Sequence, residues 1–352
     1  IANTMSAQNL SAVFHGKDDL RLENRKIPVP AAGEVLIRVH SVSLCGSDVH
    51  FLKHGAVLTF VPKAPFVLGH ESSGVVEALG EGVDGLQKGD RVALEPGIPC
   101  RRCEFCLAGS YNLCPSIDYL AAPPYDGALC RYITHPADFC YKSAAPTFRL
   151  PDSLLEPLGV VLHAVRRACV TGGQNVFVAG AGAIGLLCIQ AAKAFGAARV
   201  VVSDVNEKRL ELATAMGADG VVNVGSLSAD EISSAVQGYL DGRQPDVFFE
   251  CTGISSACEA CLTVTRPGGV VALIGVASEL RDVPLASAVF KGIDVRGVCR
   301  VANTYPTAIR LLESGQIDLS KLTRARYCLE RVVEGFERCS KGDVAKVFID
   351  CN

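Results

Sequence analysis

Residues Asn175–Asp204 read NVFVAGAGAIGLLCIQAAKAFGAARVVVSD. A short apolar run, Val176 to Ala179, opens the stretch, and the series Gly180-x-Gly182-x-x-Gly185 follows it. A helical pattern runs from Ile184 to Phe195, Gly196 stands where it would end, and a second apolar run, Val200 to Val202, leads to Asp204. Strand, glycine turn, helix and strand in this order form a dinucleotide-binding unit. Gly180 permits the tight turn out of the strand, Gly182 lets a pyrophosphate approach the backbone, and Gly185 lets helix and strand pack closely. The helix N-terminus presents unpaired N–H groups and the positive end of its dipole to the phosphates. Asp204, 19 residues beyond Gly185, is placed to accept the ribose hydroxyls of NAD and to repel the 2′-phosphate of NADP. A glycine-rich turn in some other α/β fold is the bland alternative, and it does not require the second strand or the acid.

Downstream, strand and helix patterns alternate. Helices are expected at Glu207–Met216, Asp230–Tyr239 and Ala257–Leu262, with strands at Val221–Val224, Asp246–Cys251, Val270–Val276 and Asp294–Val298. Such alternation builds a parallel sheet with helices on both faces. The tail adds helices at Tyr305–Glu313 and Glu330–Cys339 and a strand at Ala345–Ile349.

Upstream, the character changes. Leu10–Phe14 and Glu34–Val42 alternate as strands, Pro28, Pro30 and Gly33 mark a loop between them, and Arg131–Ile133 with Phe139–Tyr141 read as a strand pair. Two groups of metal-ligating residues lie in this region. Cys45, His70 and Glu71 offer a thiolate, an imidazole and a carboxylate, the plan of a catalytic zinc site with its fourth position open. A core thiol and an ordinary buried histidine would serve the first two residues equally well. Cys100-x-x-Cys103-x-x-Cys106-x7-Cys114 is sharper: four thiolates within fifteen residues close a tetrahedral, structural site. An iron–sulfur cluster is the rival occupant. Arg101 and Arg102 between the thiols are expected to offset the charge of a four-thiolate zinc. Glu156, in the apolar string LLEPL, is costly to bury unless partnered.

Composition sets the outer limits. With 352 residues the chain has room for two domains, and a net charge of -3 gives no basic surface for nucleic acid. No signal-peptide pattern and no run of 18 apolar residues are found, so a cytoplasmic, non-membrane protein is expected. Its 16 cysteines in a chain this long read as reduced thiols rather than a disulfide framework.

The order of these features resembles the zinc-dependent medium-chain alcohol and polyol dehydrogenases, over nearly the whole chain. The resemblance is carried by CGSDVH, LGHESSGVVEALG, GDRVALEPG, CRRCEFC, YNLCPSI, LLEPL and ECTG. It implies an α/β fold in which a GroES-like, β-rich catalytic domain (1–157 and 294–352) joins a Rossmann NAD-binding domain (158–293). It implies oxidation of a polyol of the sorbitol and xylitol class, with two zinc ions and NAD. The catalytic zinc would be held by Cys45, His70 and Glu71, with Glu156 near it directly or through water; Cys100, Cys103, Cys106 and Cys114 would hold the structural one. Asp48 would partner His70, and Ser47 and His50 would relay the proton. Cofactor contacts fall on Gly180, Gly182, Ile184, Gly185, Asp204, Arg209, Ile274, Gly275, Val276, Val298, Cys299 and Arg300. Substrate contacts fall on Phe51, Glu156, Arg300 and Val301, and the assembly implied is a homotetramer joined through sheet edges. Phe51 and Val301 stand where polyol dehydrogenases usually have tyrosine, and Ala122 and Tyr125 replace a usual Thr and Asp. Those four changes open a second possibility, a dehydrogenase of a less polar secondary alcohol. A non-catalytic protein on the same fold is a third, whose mark would be a lost zinc ligand.

Overall fold

The computed structural model describes residues 8–57, 60–142, 152–275 and 283–352. The chain divides into two compact units, one of residues Ile1–Glu156 with Arg324–Asn352 and one of Pro157–Thr323. Residues 294–323, expected with the first unit, lie in the second. The physical reason is a strand at their head, Asp294–Gly297, which extends the parallel sheet of that unit.

The first unit opens with β1 (Asn9–Gly16), β2 (Asp19–Arg25), β3 (Glu34–Ser43), α1 (Gly46–His54), β4 (Phe66–Val67), β5 (Glu71–Leu79), β6 (Arg91–Leu94) and β7 (Gly97–Ile98). A short α2 (Glu104–Leu107), β8 (Asp118–Tyr119), β9 (Tyr132–Pro136) and β10 (Cys140–Lys142) follow. The expected pairing of β9 with β10 does not occur: β9 pairs with β3 and β10 with β6, so each flanks a longer strand. β3 bears strands along both edges, and Val35, Ile37, Val39 and Val42 are fully buried.

The second unit runs through α3 (Leu155–Ala168, whose first two residues belong to the first unit), β11 (Asn175–Ala179), α4 (Ala183–Ala194), β12 (Arg199–Asp204), α5 (Glu207–Ala215), β13 (Gly220–Asn223) and α6 (Ala229–Tyr239). It continues with β14 (Val247–Glu250), α7 (Ser255–Val264), β15 (Val270–Leu273), α8 (Ala286–Lys291), β16 (Asp294–Gly297) and α9 (Tyr305–Glu313). Its six parallel strands stand in the order β13-β12-β11-β14-β15-β16, that of the doubly wound dinucleotide-binding fold. Val176–Val178, Val200–Val202 and Val247–Phe249 are wholly apolar and buried because helices cover both faces.

The chain then returns to the first unit with β17 (Arg324–Cys328), α10 (Val332–Lys341) and β18 (Lys346–Asp350). β18 pairs antiparallel with β3, Phe348 opposite Ser43, and parallel with β17. Among the described residues no helix is long and apolar enough to cross a membrane.

Candidate active site and metal centres

In the first unit, one donor atom each from Cys45, His70 and Glu71 lies within 4.8 Å of the others. Two segments deliver them: Cys45 caps α1, and His70 precedes β5, which Glu71 begins. Gly69 holds φ +89°, and a Cβ there would lie 2.8 Å from Leu129 Cγ and 2.9 Å from Val42 Cγ1, so only glycine permits this turn.

One buried carboxylate ties the segments together. Asp48 accepts the N–H of Cys45 at 3.1 Å and that of Gly69 at 3.2 Å, and its Oδ1 lies 3.6 Å from His70 Nδ1. Burial opposes the Asp48 charge, but the His70 imidazole beside it wins and holds its carboxyl below the ordinary value. The same pair works on His70: burial lowers its pKa, yet Asp48 raises it well above the usual histidine value. With Nδ1 committed to Asp48, Nε2 is the ligand atom, the arrangement in which a carboxylate orients a metal-binding histidine. Thiolate, imidazole and carboxylate are a donor set that suits zinc.

Two residues of this cluster were not anticipated from the sequence. Lys346, on β18, donates from Nζ to Glu71 Oε1 at 2.6 Å, to Glu71 Oε2 and to the Leu44 carbonyl at 3.1 Å. Ser43 donates its hydroxyl to Glu71 Oε2. Burial disfavours the Lys346 ammonium, but Glu71 outweighs it and raises its pKa. A lysine inside the apolar run of the last strand was the available signal.

Glu156 lies outside the three-donor cluster. Its Oε1 accepts the Tyr119 hydroxyl at 3.1 Å, and the Tyr119 ring stands 5.8 Å from that of His70. Burial, opposed by His70 and reinforced by Glu71, raises Glu156 to about 7. Ser47 is half-buried and His50 exposed on α1. Phe51 is 6% exposed and packs edge-on against Phe66 and Phe60.

The four-cysteine loop closes as its spacing requires. The Cys103 and Cys106 sulfurs are 3.4 Å apart, those of Cys100 and Cys106 3.9 Å, and all four ligand atoms fall within 4.8 Å of one another. Tetrahedral zinc with Zn–S near 2.3 Å places sulfurs about 3.8 Å apart, so the thiols fit that ion. The N–H groups of Arg102 and Cys103 point at Cys100 and pull its thiol down to about 6, while burial and the neighbouring thiols push Cys106 up to about 12. Arg101, expected to offset the thiolates, instead grips Asp138 with contacts of 2.8 to 3.1 Å. Its φ of +63° turns the side chain to the Asp138 and Phe139 side of the loop.

In the second unit the glycine turn is resolved residue by residue. Gly180 has φ +97°, and a Cβ on Gly185 would lie 1.8 Å from the Gly180 carbonyl oxygen. At Gly182, the N-cap of α4, a Cβ would meet nothing within 4 Å, and no side chain caps the helix. Open space before unsatisfied helix N–H groups fits a pyrophosphate. Asp204, 8% exposed, accepts the N–H of Ala181 at 2.8 Å and that of Asn206 at 3.0 Å, and Arg209 lies 3.7 Å away. Gly180, Asp204, Ile274, Gly275 and Val298 all sit at or just beyond the carboxyl ends of their parallel strands, the edge where such sheets bind ligands. Ile184 is half-buried in the first turn of α4. Cys299 is exposed, Arg300 is half-buried with φ +55°, and Val301 is buried. Val276 lies outside the described residues.

Comparison with known proteins agrees with both units. Residues 31–147 match the alcohol dehydrogenase GroES-like domain and residues 183–314 the zinc-binding dehydrogenase domain. The chain is 48% identical over 345 residues to sorbitol dehydrogenase from Bos taurus, covering 98% of this chain and 97% of that protein. Among solved structures, an oxidoreductase of unknown specificity from Escherichia coli superposes with a TM-score of 0.91 at 34% identity, covering 98% of this chain and 99% of that one. L-Idonate 5-dehydrogenase from Escherichia coli superposes with a TM-score of 0.89 at 31% identity, covering 98% of each chain.

Proposed function

The chain belongs to the zinc-dependent medium-chain dehydrogenases, and on that footing we propose that it oxidises a secondary hydroxyl of a polyol to a ketone with NAD as hydride acceptor. The observation that carries this reading is the convergence of Cys45, His70 and Glu71 in one pocket, in a chain whose other unit holds an intact dinucleotide turn. Bound zinc supplies the Lewis acidity that lowers the pKa of the substrate hydroxyl, and bound NAD accepts the hydride.

The protein's own groups do the rest. Cys45, His70 and Glu71 hold the ion, and Asp48 keeps His70 in the orientation that presents Nε2. Ser47 and His50, on the exposed side of α1, carry the substrate proton outward. Glu156, poised near neutrality and steadied by Tyr119, accepts hydrogen bonds from substrate hydroxyls. Arg300 binds a further hydroxyl. Asp204 favours NAD, because its carboxylate accepts ribose hydroxyls and repels a 2′-phosphate. Cys100, Cys103, Cys106 and Cys114 hold a second, structural zinc.

A homotetramer is supported by exposed apolar residues just ahead of the edge strand β16 in the chain: Leu285, Val289 and Phe290 are 58%, 80% and 91% exposed. An edge strand with apolar neighbours is a site for pairing with a second copy. Sixteen cysteines, none in a disulfide, are in keeping with a reducing, cytoplasmic setting.

A second reading, a less polar secondary alcohol, is favoured by Phe51 and Val301, buried and without hydroxyls. Turnover of sorbitol and xylitol against simple secondary alcohols, read as NADH formation, separates the two. Polyol turnover supports the proposal; its complete absence overturns it.

A further inference from the structure

The two donor clusters differ in what their charges meet when no ion is bound. In the Cys45 cluster Asp48 and Glu71 each already face a base, while Glu156 nearby is held by the Tyr119 hydroxyl. Asp48 faces His70 at 3.6 Å, and both oxygens of Glu71 accept from Lys346 Nζ. The ammonium has three protons, and Glu71 Oε1, Glu71 Oε2 and the Leu44 carbonyl supply acceptors for all three. Lys346 is 5% exposed and Glu71 1%, so neither side chain can swing into water. Ser43 fixes the carboxylate from a further side. The pocket is therefore electrostatically closed without metal, and an ion that takes Glu71 must share that carboxylate with a fixed positive charge. In the four-cysteine loop Arg101 is turned to Asp138 and Arg102 is exposed, so neither is a buried cation like Lys346.

We propose that Lys346 is a built-in competitor for the metal ion at Glu71: it sustains the empty pocket and keeps the ion there exchangeable. The proposal rests on the reading that Cys45, His70 and Glu71 hold zinc, and it assigns Lys346 a positioning role, through Glu71. Its sign is counter to that of a simple support. Removing a buried cation destabilises the empty site, where Glu71 loses the cation bonded directly to it, far more than the filled one, where the ion supplies a counter-charge. The ion should therefore bind more tightly without Lys346, by a factor on the order of 10 to 100 for the loss of one like charge in a poorly solvated pocket.

The test is a chelator titration of the zinc-loaded protein, with zinc counted per chain, on wild type, Lys346→Met, Lys346→Arg and Cys45→Ser. Lys346→Met should need about tenfold or more chelator to give up its second zinc, and its metal-free form should melt lower than metal-free wild type. Lys346→Arg should behave as wild type. Lys346→Gln, neutral but able to hydrogen-bond, repeats the measurement if the methionine variant does not fold. In a Glu71→Gln background the Lys346→Met effect should vanish. Equal or easier loss of zinc from the neutral variants would overturn the proposal. Equal zinc content in wild type and Cys45→Ser would instead overturn the underlying site reading.

Discussion

The two donor clusters of the first unit contrast a local construction with a distributed one. The four-cysteine loop is written in fifteen consecutive residues, and its sulfurs meet because Cys103 caps one short helix and Cys114 closes the following turn. The other pocket is assembled from α1, the start of β5 and β18, so that Lys346 bonds a carbonyl 302 positions earlier in the chain. A local cluster holds its ion by chelation within one loop and serves stability. A distributed cluster depends on the fold being made first, and it can spend its ligands on chemistry.

The largest effect expected is at Cys45. Cys45→Ser should cut polyol oxidation by about 10³-fold or more, because several kcal/mol of Lewis-acid stabilisation are lost with the ligand. Its melting temperature should stay within a few degrees of wild type, and one zinc should remain. Cys103→Ser should do the reverse in kind, losing the structural zinc and thermal stability together. If the two variants behaved alike, by zinc analysis and calorimetry, the division between the clusters would fail.

Asp48→Asn sharpens the same comparison at the next level. Losing the carboxylate that orients His70 should lower catalytic metal affinity or activity by about 10–100-fold while leaving the four-thiolate ion in place. Asp204→Asn, in the other unit, should raise the KM for NAD about tenfold and narrow the preference over NADP, as a charge-assisted bond is replaced by a neutral one. Unchanged cofactor kinetics would sink the assignment of Asp204.

The smallest effect concerns Glu95, at the end of β6 beside the four-cysteine loop. Burial raises its carboxyl to about 7 against the opposing hydrogen bonds of Tyr111 and Tyr141. A folded-state pKa above the unfolded one gives stability that is full at low pH and is lost as pH rises through 7. Glu95→Gln does not titrate, so its melting temperature relative to wild type should climb by a few degrees between pH 5.5 and 8. A flat difference across that range would show that Glu95 is not buried as an acid.

What could be read from the sequence follows the same line between local and distributed. Gly180, Gly182 and Gly185 announced themselves because their roles are local: a positive φ at Gly180, open space before the helix N–H groups at Gly182, and a close approach to the Gly180 carbonyl at Gly185. The run from Val176 to Asp204 folds as the alternation demands. The thiol spacing likewise declared its own site. Cys45, His70 and Glu71 are joined by residue type, a link the family resemblance strengthens, because nothing local brings positions 45 and 70 together; β3 pairing with β5 does that. Lys346, Ser43 and Tyr119 were not legible, because their partners are chosen by strand register rather than spacing. The same holds for β9 and β10, whose hairpin-like separation hid the fact that each pairs with a different strand. The boundary at 294 was misplaced because an edge strand looks alike in either sheet.

The most direct test of the central claim is zinc per chain, measured with sorbitol oxidation in NAD, for wild type and Cys45→Ser side by side. Two zinc ions and turnover in wild type, with one ion and turnover lost in the variant, is the expected result. One ion in both proteins, with no turnover in either, would contradict it.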